Sequence, residues 1–144
     1  LHRRPARGIS AAAWKEPAMH RRIVSAPDTP PTRGYAAAVE VAGASRLLFV
    51  SGQIPALPDG SVPEGFEAQC RAAWRNVLAQ LAAAGMGPEN ILRVGTFLTD
   101  PAFAAAARAV RAEMLGGREV AATTVVCRLL EPSWLVEIEA VAAA

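Results

Sequence analysis

Residues 47–55 read Leu47-Leu48-Phe49-Val50-Ser51-Gly52-Gln53-Ile54-Pro55. A continuous apolar run of this length predicts a strand buried on both faces. The glycine inside it points to a bulge, or to a close approach by another backbone or a ligand. Pro55 lacks a ladder donor and ends the strand. A buried strand that finishes in a small hydroxyl and a glycine can floor a pocket. The Ser51-Gly52 pair can equally be a plain strand end.

Upstream, residues 35–41 suit a strand and residues 42–45 a turn, so with residues 47–53 they predict a hairpin. Downstream, Asp59-Gly60 marks a second turn. Cys70, Trp74, Val77, Leu78 and Leu81 fall on one face of a 3.6-residue period, which predicts a helix over 66–84. Gly85 stands at its C-terminal stop and Pro88 just beyond. Residues 91–98 read as a strand stopped by Asp100-Pro101. An alanine-rich helix is expected over 103–115, closed by Gly116-Gly117. Two strands complete the pattern, 120–130 and 135–142, with Glu131-Pro132 turning the chain between them. The order ββαβαββ is an α+β layer, two helices packed on one face of a mixed sheet.

The 144 residues suit one domain, with 52% apolar and 19% charged residues. No apolar run is long enough to span a membrane. Cys70 and Cys127 are far apart, each in an apolar pattern, and read as core thiols of a reducing cytoplasm rather than a disulfide or zinc framework. The net charge of +2 is unevenly placed: residues 1–33 carry +5 and the remainder −3. The division expected is a basic, proline-containing extension over 1–33 and a folded domain over 34–144. Residues 1–18 lack periodicity, precede Met19 and are expected to lie outside the fold.

Both histidines and the only lysine fall before residue 34. That argues against a Ser-His-Asp triad, a histidine metal site, a Schiff-base lysine and a P-loop in the domain. A domain at −3 also lacks the basic face that nucleic acid requires. Chemistry must come from Arg, Glu, Asp, Tyr, Ser, Thr or backbone groups. Glu137 and Glu139 share one face of the last strand, roughly 6–7 Å apart. Such a pair can act as general acid and base, as in glycoside hydrolysis, but is more often a solvated sheet face. Tyr35, the sole tyrosine, enters the first strand after Arg33-Gly34, as a pocket hydroxyl or an ordinary edge residue. Arg93 and Arg128 lie on predicted strands, where an arginine calls for a carboxylate partner or a ligand anion. Gln69 and Asn76, two turns apart on the first helix, read from pattern as solvated surface.

The chain resembles the reactive-intermediate/imine deaminase family (RidA/YjgF, also called endoribonuclease L-PSP). The residues that carry the likeness are Gly34-Tyr35, Phe49 to Pro55, Gly60, Gln69, Asn76-Val77, Ala84-Gly85, Phe97 to Asp100, Phe103, and Val136 to Ala142. The resemblance implies a chorismate-mutase-like fold and a homotrimer with small-molecule pockets between subunits, with no cofactor or metal. It also implies that Gln69 and Asn76 are structural, and that imines derived from amino acids are hydrolysed to 2-oxo acids and ammonia. Carried over residue by residue, Glu137 holds the attacking water, while Tyr35, Ser51, Gly52 and the segment holding Ala122 and Thr123 line the pocket. In the family an arginine on the penultimate strand grips the substrate carboxylate through a bidentate fork.

That arginine is missing. The family's Pro-Ala-Arg-Ser/Thr appears here as Val120-Ala121-Ala122-Thr123, and a pocket asparagine of the second helix is replaced by Ala107. Arg118, four residues before Ala122, is placed to lean in from a loop. Two expectations follow: a deaminase or hydrolase with an altered substrate range, and a non-catalytic trimer that binds a small metabolite or a partner protein.

Overall fold

The structure, a computed structural model, describes residues 18–144. The stretch expected to lie outside the fold, residues 1–18, falls outside the described residues apart from Ala18. The regular elements are β1 (His20–Val24), β2 (Ala38–Ala42), β3 (Leu47–Gln53), α1 (Phe66–Ala83), β4 (Ile91–Leu98), α2 (Ala104–Met114), β5 (Ala121–Val126) and β6 (Val136–Ala143). From β2 onward the order is the expected ββαβαββ. Among the described residues, no helix is long and apolar enough to cross a membrane.

Four strands form one sheet in the order β3-β6-β4-β5. The first two junctions are antiparallel and the third is parallel. Parallel neighbours need a long crossover, and α2 lies in it. Val94 and Leu98 of β4, with Val136, Ile138 and Ala140 of β6, pack against Trp74, Val77 and Leu81 of α1 and Val110 of α2 in one core. The helical period puts Cys70, Trp74, Val77 and Leu81 at or below 1% exposure, so the predicted stripe is the buried face. Burial pushes the Cys70 thiol up to about 12. Helix α1 stops as expected: Gly85 takes φ +69°, and its N–H bonds to Ala82 O at 2.9 Å. Arg71 of α1 bridges Glu67 at 3.0 Å and Glu113 of α2 at 2.8 Å, and Phe66 stacks on Phe103 with centroids 4.3 Å apart.

Four expectations are corrected. Strand β3 is not buried on both faces: it is a sheet edge, and Phe49 is 73% and Leu47 57% exposed while Val50 is buried. The helices cover one side only, so alternate residues of β3 face outward. The hairpin of β2 with β3 does not form. Strand β2 pairs antiparallel with β1, which lies in the stretch read as extension, and β3 pairs with β6. Strand β1 offers only Ile23 and Val24 as apolar residues, too few to show a period; Arg22 pairs with Glu40 across it. Strand β5 spans six residues rather than eleven; Cys127 N still bonds Leu98 O, but the chain then leaves the sheet. Cys127 is accordingly half-buried and not a core thiol.

The two polar residues of α1 are tethers, as the family likeness implied. Gln69 is 4% exposed; its Nε2 donates to Ser133 O at 3.0 Å and its Oε1 accepts from Leu135 N at 2.8 Å, fixing the turn that leads into β6. Asn76 Nδ2 donates to Ile54 O and Ala56 O at 3.0 and 2.9 Å, holding the chain that leaves β3. Each buried group left without a partner costs about 1–3 kcal/mol. Gln69→Leu is therefore expected to lower unfolding free energy by about 2–4 kcal/mol in urea titration. A loss below about 0.5 kcal/mol would show that the turn stands without this tether.

Candidate functional site

Glu137 and Glu139 emerge from β6 on the side away from the helices, where their β4 neighbours are Phe97 and Gly95. They do not have the same surroundings. Glu139 Oε1 accepts from Arg93 Nη1 at 2.9 Å, so Arg93 has the carboxylate partner expected of it. Glu137 is half-buried and makes no ion pair among the described residues. The pair thus separates into one structural and one free carboxylate.

Gly52 explains where the free one sits. The β3–β6 register shifts between Val50 and Gln53, and Val50 opposes Ala140 while Gln53 opposes Ile138. One extra residue on β3 makes a β-bulge at Ser51-Gly52. A Cβ at Gly52 would fall on Glu137 Oε1, so the bare backbone here is what admits the carboxylate. The bulge expected of this glycine forms, and what approaches it closely is a side chain rather than the backbone or ligand expected. Above them is a recess of about 270 Å³ lined by Gly52, Phe97, Cys127, Arg128, Glu137 and Glu139. Arg128 is exposed there and forms no ion pair among the described residues, so of the two partners expected for it the carboxylate is not found. Ser51 is exposed and lines a separate hollow with Phe49, Gln53 and Gln80.

The remaining candidates lie at the opposite sheet edge. Ala36 N bonds Val120 O at 2.9 Å and Ala36 bridges Ala121, which sets Tyr35 beside the outer edge of β5. Ala122 opposes Val94 and so takes the helix side of the sheet, whereas Thr123 opposes Gly95 and takes the open side. Gly52 on β3 and Ala122 on β5 are three strand spacings apart, roughly 14 Å. Within one chain the structure brings Gly52 and Glu137 together, and it leaves Tyr35 and Ala122 in a second group. Arg118 does not lean over Ala122: its Nη1 turns back to Leu115 O at 3.1 Å, at the end of α2.

On the helix side of β5, the side that Ala122 also takes, the structure shows a residue that sequence reading passed over. Arg111 of α2 is only 8% exposed. Its Nη2 donates to Gly34 O at 3.0 Å, and it lines a small pocket with Thr96, Ala107, Arg108 and Thr124. Burial is the main cause pulling its pKa down; the like charge of Arg108 adds to this and Tyr35 opposes it. The available signal was its place among Ala107, Val110 and Leu115, the apolar stripe of α2.

A mixed sheet with both helices on one face, a strand glutamate over a bulged glycine and a terminal Glu-Ile-Glu-Ala strand define a recognisable class. The family model described as Endoribonuclease L-PSP matches residues 25–144, and the chain belongs to this RidA/YjgF family. A RutC family protein of Aquifex aeolicus is 42% identical over 81 residues, 55% of this chain and 62% of that protein. The Escherichia coli protein named reactive intermediate deaminase TdcF, itself a provisional assignment, is 38% identical over 55 residues, 38% of this chain and 43% of its own length. The chain thus spans less than two thirds of these curated relatives in the matched stretches. Among solved structures, the Rid-family protein YyfB of Yersinia pestis, of unknown function, superposes with a TM-score of 0.79 at 28% identity, covering 86% of this chain and 98% of that one.

The Gly52–Glu137 contact has a measurable signature. Gly52→Ala is expected to cost about 1–3 kcal/mol through overpacking, and Gly52→Ala/Glu137→Ala to recover most of it. Additive losses in a denaturant double-mutant cycle would show that the two residues do not share this space.

Proposed function

We propose that the protein is a hydrolase of carbon–nitrogen double bonds in small metabolites, an enamine/imine deaminase of the RidA type, acting in the cytoplasm as a homotrimer. The observation that supports it most is the free carboxylate of Glu137, half-buried over the bare backbone of Gly52 and beside a recess of about 270 Å³. Such a carboxylate accepts a hydrogen bond from water and draws off a proton as the oxygen adds to the imine carbon. The proton passes to nitrogen, the carbinolamine collapses, ammonia leaves and a carbonyl remains. Imine plus water gives carbonyl plus ammonia, with no redox step and no cofactor.

The placement of the site residues supports the assembly. Glu137 with Gly52, and Tyr35 with Ala122, occupy opposite edges of one sheet, too far apart for one small substrate. A second copy can set one group against the other. The open sheet face carries Leu47, Phe49 and Val125 at 57%, 73% and 42% exposure, an apolar surface suited to burial between subunits. In this reading Ser51 and Thr123 contribute at the seam. Ala122 and Ala107 remove two polar pocket groups and shift the substrate range. The ribonuclease of the family's description finds less support, since residues 34–144 carry no histidine or lysine and a net charge of −3.

Light scattering after gel filtration is expected to give about three times 15.1 kDa; a stable monomer at micromolar concentration contradicts the shared site. Ammonia release from freshly generated imines, charged and uncharged, is expected from the wild type and to fall about 10²- to 10⁴-fold in Glu137→Gln. No turnover across the panel, with tight binding of a metabolite instead, would favour the non-catalytic trimer.

A further inference from the structure

We infer that Arg111 of α2 is the group that holds the substrate's carboxylate, in the small pocket between α2 and the helix side of β5. This rests on the deaminase reading for the substrate's identity, but binding of the anion does not depend on turnover.

A buried guanidinium ordinarily has a carboxylate beside it, because desolvating the charge alone is costly. Arg111 is 8% exposed and makes no ion pair among the described residues. Its recorded acceptor is one neutral carbonyl, Gly34 O. The wall facing it supplies only hydroxyls, from Thr96 and Thr124, and the nearest like charge is Arg108 on the same helix. An anion is the missing partner that this arrangement suits, and a planar fork suits a carboxylate best.

Position and size agree. Ala122 and Thr124 lie on the same side of β5, one alternation or roughly 7 Å apart. Thr124 lines the Arg111 pocket. Gly34 is held near the start of β5, because Ala36 two residues on bridges Ala121. The Arg111 side chain therefore lines the pocket with Thr124 and reaches Gly34 O with its Nη2. The cavity is about 50 Å³, against about 30 Å³ per molecule in liquid water. That accommodates a carboxylate head but not a whole metabolite, whose reacting end must project outward. The competing account is that Arg111 does nothing but pin Gly34.

Calorimetric titration of the full 144-residue chain separates them. The probes are 2-oxobutyrate, which carries the carboxylate and carbonyl of the product class, its neutral counterpart 2-butanone, and inorganic phosphate. Wild type is expected to bind 2-oxobutyrate and neither of the others. Arg111→Met should weaken this at least about 10-fold, with Arg111→Lys in between. Because Arg111→Met also frees Gly34, Thr124→Val is measured beside it, with melting curves for both; it should weaken binding about 3- to 10-fold. Ala122→Arg added to Arg111→Met should restore affinity. Failure of wild type to bind 2-oxobutyrate overturns the assignment. So does unchanged affinity in Arg111→Met, or affinity lost in Arg128→Gln and kept in Arg111→Met. Binding that depends on Arg111 without ammonia release from any imine leaves the anion site standing and removes the deaminase. Turnover with unchanged KM in Arg111→Met does the reverse.

Discussion

Among the described residues, both helices cover the same face of this sheet. Residue parity along each strand therefore decides what is core and what is open to a ligand or a neighbour. On β6, Val136, Ile138 and Ala140 are at or below 1% exposure, which forces Glu137 and Glu139 outward. Slipping this strand by one residue would drive both carboxylates into the core and expose three apolar side chains, so the core itself fixes the direction of the acid. The same parity sends Ala122 toward α2 and Thr123 away from it.

Small local departures from regular structure then tune the open face. The bulge at Ser51-Gly52 removes both a ladder position and a side chain where Glu137 needs room. Gly95 does the same for Glu139, since a Cβ there would stand 2.6 Å from its Oε1, and Arg93 holds that carboxylate flat against the sheet. Beneath the sheet, Gln69 and Asn76 bind the backbone entering β6 and leaving β3. Helix α1 thus anchors, with two amides, the chain on either side of the strands that carry Gly52 and Glu137.

What could be read from sequence follows the strength of local signals. Helix α1 and strand β4 were legible because their apolar patterns are long and are bounded by Gly85 and Asp100. The β2–β3 hairpin was misread because adjacency in sequence was taken for pairing; β3 finds β6, ninety residues on in register terms, through a shared apolar ladder such as Phe49 with Val141. Strand β1 was missed because two arginines occupy two of its five positions. Glu137 and Gly52 were visible as a motif. Their contact was not, since it depends on the register of strands far apart in sequence. Arg111 escaped because an arginine on a helix reads as surface, and only the tertiary fold shows the pocket beneath it.

Strand β6 lies inside the sheet, yet it follows every other described element in sequence. Its neighbours β3 and β4 do not pair with each other; each waits for it. During synthesis, then, both helices and strands β1 to β5 emerge before β6 does. The nascent chain must keep the apolar face of Trp74, Val77 and Leu81 without its cover, with the edges of β3 and β4 unpaired. The β3–β6 and β6–β4 junctions can form only once Val136–Ala143 has left the ribosome, so the middle of the sheet closes last.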